Sequence, residues 1–147
     1  MGYTHYYKFK KDQETVEQFQ KVLNDAKIIM ANLPEHSESA GGYSKEFPLV
    51  IRGGDGTGEP VFSLTEGIWL NGDGESKDDL SHETFYFDPN VDTDFEFCKT
   101  SRKPYDFVVC CLLLSLKKRL NNFSYSSDGD EDDWKPAKKF FKKHIKN

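Results

Sequence analysis

Residues 3–9 alternate aromatic and polar side chains, a strand pattern that places Tyr3, His5 and Tyr7 on one face. Val16, Phe19, Val22, Leu23, Ala26, Ile29, Met30 and Leu33 then recur at steps of three and four, one apolar stripe on a helix that Pro34 ends. Residues 35–48 are rich in Ser, Glu and Gly, carry no period and predict a mobile surface loop. Short strands follow at 49–52, 61–64 and 67–70, the last running into an Asn71-Gly72 turn, with another at 83–87. Pro104 opens a helix to about residue 120, and because 107–114 is apolar on every side, that helix should be central and covered all round. Residues 123–127 read as a last strand, 128–133 as an acidic turn and 134–145 as a final helix. The order β-α-β-β-β-α-β-α predicts a single α+β domain over 1–147. Its sheet is mostly antiparallel, with an amphipathic N-terminal helix, a buried central helix and a C-terminal helix.

Composition narrows the partners more than the fold. A chain of 147 residues, 36% of them hydrophobic, is large enough to build one core without a disulfide or a structural metal. Twenty basic against 25 acidic residues give a net charge of -5, which argues against a general nucleic-acid-coating protein but leaves room for local basic patches. The longest purely apolar run, 107–114, falls far short of the roughly 20 residues that cross a bilayer, so no membrane span is expected. The N-terminus lacks the pattern of a secretory signal, and Tyr7 stands where a myristoylation motif needs Ser or Thr. Cys98, Cys110 and Cys111 make a poor disulfide framework, so a reducing, cytoplasmic setting is expected, in which the sequon at Asn122 would be idle.

Several fragments are distinctive as a set. Met-Gly-Tyr-Thr-His-Tyr at the start, His82-Glu83-Thr84-Phe85, Phe97-Cys98-Lys99-Thr100 followed by Lys103-Pro104-Tyr105-Asp106, and Ser126-Ser127-Asp128-Gly129 ahead of Trp134 cover most of the chain. Together they resemble a widely scattered family of small proteins of unassigned function in microbes, fungi and viruses. The resemblance implies no activity, cofactor or partner, so the chemistry has to come from the residues.

The segment from Lys99 to Asp106 carries the most. Lys99, Thr100, Ser101, Arg102 and Lys103 stand just before a helix start, where free N–H groups and the helix dipole favour a phosphate or carboxylate. Capping by Asp106 at the third helical position explains part of this pattern but not the three cations. Cys98, in the same basic neighbourhood, is a nucleophile candidate if exposed, with His5 or His82 as base, and otherwise a small buried hydrophobe. The glycine run 53–58 fits neither phosphate-loop pattern and reads as a turn. The acids at 128–133 fail as a calcium loop, because Asp133 stands where glycine is needed and Lys139 where glutamate is needed. Asp128 remains a site candidate, and Asp130 to Asp133 read as solvated. The final helix sets lysines opposite Trp134, Ala137, Phe140, Phe141 and Ile145, a docked terminal helix more readily than a nucleic-acid or membrane contact. His5, His36, His82 and His144 lack metal-ligand spacing, so neither metal nor cofactor is expected.

Three functions follow. The first is a domain binding a small anionic ligand, contacted by Lys99, Thr100 and Arg102, lined by His5, Glu83 and Asp128, with Tyr105 stacking or hydrogen-bonding. The second is a hydrolase or transferase using the same cleft through Cys98 or an acid/base pair of His5 and Asp128. The third is a protein-interaction module using the aromatic-rich surface and the mobile loop of residues 35–48.

Overall fold

A computed structural model describes residues 2–36 and 47–146. The elements are β1 (Thr4–Phe9), α1 (Thr15–Ala31), β2 (Val61–Ser63), β3 (Gly67–Leu70), β4 (Phe85–Phe87), β5 (Thr93–Lys99), α2 (Asp106–Arg119), β6 (Phe123–Ser127) and α3 (Glu131–His144). The fold is α+β, with two antiparallel three-stranded sheets in the orders β5-β1-β6 and β2-β3-β4. Most of the expected loop, residues 37–46, lies outside the described residues.

The central helix behaves as its composition requires. Phe107 to Leu113 are all buried in α2, which packs between α1 and α3 and behind β6. The stripe of α1 covers it with Phe19, Val22, Leu23, Ala26 and Ile29, while Val16, in the first turn, is exposed. Asp25 sits on that buried side of α1, a position with no apolar reason. It accepts from Arg119 Nε at 2.8 Å, Arg119 Nη2 at 2.9 Å and Ser115 Oγ at 2.7 Å, so its charge is paired and α1 is tied to the end of α2. No helix among the described residues is long and apolar enough to cross a membrane.

Two expected elements differ. Residues 49–52 form no strand and make only a single bridge, Arg52 to Asn71. Asn71 is not a hairpin turn residue either. It is buried, its side-chain amide donates to Gly54 O and His82 O, and its carbonyl accepts from Gly72 N and His82 N, which fastens a long β3–β4 connection. Gly72 is required there because a Cβ would collide with the Leu80 carbonyl. Conversely β5 was absent from the expected order. It pairs with β1 in the register Thr4–Lys99, His5–Cys98 and Tyr6–Phe97, and β6 pairs on the other side with His5 opposite Ser127.

Burial alternates along β1, with His5, Tyr7 and Phe9 inward and Thr4, Tyr6 and Lys8 outward. That alternation separates the inner face, against α2, from an open outer face.

Candidate functional site

The inner face of the β5-β1-β6 sheet meets the start of α2 at His5, whose side chain is fully buried. His5 Nε2 lies 2.6 Å from Asp106 Oδ1, and Nδ1 lies 2.8 Å from Ser127 Oγ. Because a carboxylate only accepts, the proton belongs on Nε2, and Nδ1 then accepts from the Ser127 hydroxyl. The side chains form a chain of serine, imidazole and carboxylate drawn from β6, β1 and α2.

Each member is held from a second direction. Thr100 Oγ1 donates to Asp106 Oδ1 at 2.6 Å, and the Cys110 thiol donates to Oδ2 at 3.6 Å. Trp134 and Tyr3 pack edge-on against the imidazole, with ring centroids 5.3 and 5.2 Å away. Ser127 Oγ accepts from Gly129 N at 2.9 Å and from Trp134 Nε1 at 3.1 Å. The Tyr3 hydroxyl presses on Gly129, where any side chain would collide with it. Burial, then the charge of Asp106, pushes the Tyr3 phenol well above its ordinary value, so it stays protonated. Ser127 is half-buried and opens on a groove of about 420 Å³ walled by Trp134 and Tyr125, whose rings stack at 5.1 Å, with Lys138 at its rim.

The turn that delivers Thr100 and Asp106 is strained. Ser101 and Arg102 adopt φ of 53° and 60°, a left-handed pair of non-glycine residues costing roughly 1–2 kcal/mol each. Backbone N–H groups of Thr100 and Ser101 both donate to Tyr3 O, and the Arg102 guanidinium lies 4.0 Å over the Tyr3 ring, which together hold it.

The sequence candidates divide between two faces. His5 and Thr100 are in the cluster, and Asp106 joins them as an acceptor rather than as the helix cap expected of it. Tyr105 is buried and donates to Glu83 O at 2.6 Å, while the Glu83 carboxylate accepts from Lys99 N at 2.7 Å, so this pair braces the strand rather than lining a cleft. Asp128 points away from His5, accepting from Thr4 N and the Tyr6 hydroxyl on the outer face. Lys99 follows the same outer alternation, and His82 is exposed elsewhere. Arg102 is engaged by Asp133 at 2.7 Å, and Lys103 Nζ donates to the Asp79 and Ser81 carbonyls. Asp133 is therefore not solvated as expected. Ser127, Asp106, Tyr3 and Trp134 were missed as a site, because the first lay in a plain strand and the last in an apolar stripe.

Cys98 is not the exposed basic-patch thiol that nucleophilic use requires. It is buried, and burial raises its thiol far above the usual value, as it does for Cys110 and Cys111. All three thiols should resist a thiol-reactive reagent in the native protein and react fully in denaturant; rapid native labelling of Cys98 would contradict this placement.

His5, Asp106 and Cys110 also bring three potential metal-ligand atoms within 4.8 Å. The 2.6 Å contact is a proton-sharing distance, though, shorter than the roughly 3.3 Å between two ligands on one tetrahedral zinc. The arrangement suits a hydrogen-bond relay better than a metal.

Asp130 and Asp133 form a reciprocal capping box at the start of α3. The Arg102 hydrogen bond, then the Asp130 backbone N–H and the Arg102 charge, hold the Asp133 carboxyl below its ordinary value of 3.8. A depressed folded-state value contributes stability that is fully present above the ordinary value and is lost as pH falls through the folded one. Asp133→Asn is expected to cost about 1 kcal/mol near neutrality, with the gap to the wild type closing below about pH 4 in urea melts at stepped pH.

Comparison with family models, curated proteins and solved structures finds no match to this chain.

Proposed function

We propose that this protein is a hydrolase of small acyl esters, with Ser127 as nucleophile, His5 as general base and Asp106 as the group that fixes the imidazole. The observation that carries this is the continuous relay from Ser127 Oγ through both ring nitrogens of His5 to a buried carboxylate. The ring is used in the mirror sense, with serine at Nδ1 and carboxylate at Nε2, but the roles are those a serine triad needs.

In the proposed reaction Ser127 Oγ forms a bond to the substrate carbonyl carbon while its proton passes to His5 Nδ1. The imidazolium is stabilised at Nε2 by Asp106. That proton then goes to the departing alkoxide, leaving an acyl-serine; water attacks the acyl carbon with His5 taking its proton, and as the acyl–Oγ bond breaks the imidazolium returns that proton to Ser127, releasing the carboxylic acid. The resting Oγ has both lone pairs occupied, by Gly129 N–H and Trp134 Nε1–H. At least one of these donors must let go as the new bond forms, and a released donor stands beside the carbonyl oxygen on which negative charge develops. The groove is walled by the Trp134–Tyr125 stack and also lined by Asp130 and Glu131 beside Lys138, which favours a short acyl group that carries no negative charge.

An anion held at the start of α2 has less support. Asp106 already places a carboxylate there, and Arg102 is in an ion pair with Asp133. Hydrolysis of p-nitrophenyl acetate and butyrate, followed by release of the coloured phenolate, tests the proposal. Turnover that saturates and is absent in His5→Gln supports it; a rate no higher than that of free imidazole rejects it.

A further inference from the structure

We infer that the outer face of the β5-β1-β6 sheet is a binding platform for single-stranded nucleic acid. Phe95 and Phe97 on β5 are 65% and 49% exposed, unusual for large rings on a sheet. Tyr6 on the neighbouring strand stacks on Phe95 at 5.9 Å and 26°, and Phe95 lies 6.1 Å from Phe97, so three rings form one continuous surface. Lys8 and Lys99 flank it, each on a strand position facing the same way, and no ion pair engages either ammonium group among the described residues. Ser124 and Ser126 line the adjoining groove of about 340 Å³ with hydroxyls.

The charge pattern selects the partner. Rings that offer π-faces between unpaired cations suit a polyanion with flat bases, where stacking supplies affinity and the lysines meet phosphates. Lys8 lies four residues along β1 from Thr4, the partner of Lys99, a span of about 13 Å that two or three unstacked nucleotides can cover. A duplex would hide its bases from the rings. The net charge of -5, Asp128 at one end of the face and exposed Asp94 beside Lys8 and Lys10 at the other work against a polyanion, so binding should be micromolar at low salt and steeply weakened by added salt.

The test is fluorescence anisotropy with labelled oligodeoxythymidylate and oligouridylate of about twelve nucleotides. We expect saturable binding to the single strands, at least tenfold weaker for the corresponding duplex. Phe95→Ala/Phe97→Ala should lose at least tenfold in affinity, and because both rings are exposed the fold should tolerate the change. Lys8→Ala/Lys99→Ala should weaken binding and flatten the salt dependence by about 0.7 per lost phosphate contact. Ser127→Ala should bind as the wild type does, which keeps this inference separate from the proposed hydrolysis. No binding at low salt, or binding indifferent to the phenylalanine pair, overturns the inference. So does sedimentation showing a dimer that the same pair abolishes, since the face would then be covered by a second copy.

Discussion

Asp106→Asn is expected to lower ester turnover by about ten-thousandfold while leaving a folded protein. The amide that replaces the carboxylate can donate to His5 Nε2, so that nitrogen no longer needs its proton and the imidazole shifts to the tautomer with hydrogen on Nδ1. A ring with a proton on Nδ1 cannot accept one from Ser127. The same change weakens the acceptor for Thr100 Oγ1 and the Cys110 thiol. Because Asp106 is buried and those partners cannot turn to water, a stability loss of about 3 kcal/mol should accompany the loss of activity. Thermal melts and steady-state kinetics on one preparation separate the two effects. Turnover within tenfold of the wild type in a folded Asp106→Asn variant would leave the relay a purely structural network.

Ser127→Ala should abolish turnover outright, a loss of at least about a thousandfold. It also removes the acceptor of the Trp134 indole and the Gly129 N–H, and the donor to His5 Nδ1, at a cost of about 1–3 kcal/mol. Water from the adjoining groove can replace part of this, because Ser127 is only half-buried, so the variant should fold. Trp134→Phe can keep a ring packed against His5 but removes the indole N–H, one of the two donors the mechanism turns toward the developing oxyanion; it should slow acylation by about tenfold or more and cost about 1 kcal/mol of stability.

Periodicity carried α1 because it buries a defined stripe, and an unbroken apolar run carried α2. Phe19, Val22, Leu23, Ala26 and Ile29 are buried as their spacing requires, and the unbroken run from Phe107 marks the helix covered on all sides. β5 escaped the same logic, since its large rings face outward and Asp94 and Glu96 alternate with them, the inverse of the usual pattern on a half-buried strand. Residues 49–52 failed for the opposite reason: an apolar run predicts burial, which Leu49 and Ile51 have, but not a strand partner.

The site was legible only in pieces. Alternation along β1 correctly set His5 with Tyr3 and Tyr7 on one face, and all three are buried. Nothing local, however, reveals that His5 pairs across the sheet with Ser127 or that Asp106 turns inward instead of capping its own helix. Those contacts join positions more than a hundred residues apart and depend on strand order. The fold brings Tyr3, His5, Thr100, Asp106, Ser127, Gly129 and Trp134 into one cluster from separate stretches of the chain, 3–5, 100–106 and 127–134. The basic residues that drew attention to the helix start are spread over other contacts, because two left-handed residues redirect the chain between Thr100 and Lys103.

Nucleophilic use of Ser127 is tested by intact-mass spectrometry after exposure to a fluorophosphonate, which loses fluoride to an activated serine and leaves a stable phosphonyl adduct. One adduct per chain is expected, mapped to Ser127, absent from Ser127→Ala and His5→Gln and slowed by a competing short-chain ester. An unmodified wild-type mass after prolonged exposure, or an adduct that persists in Ser127→Ala, would contradict it.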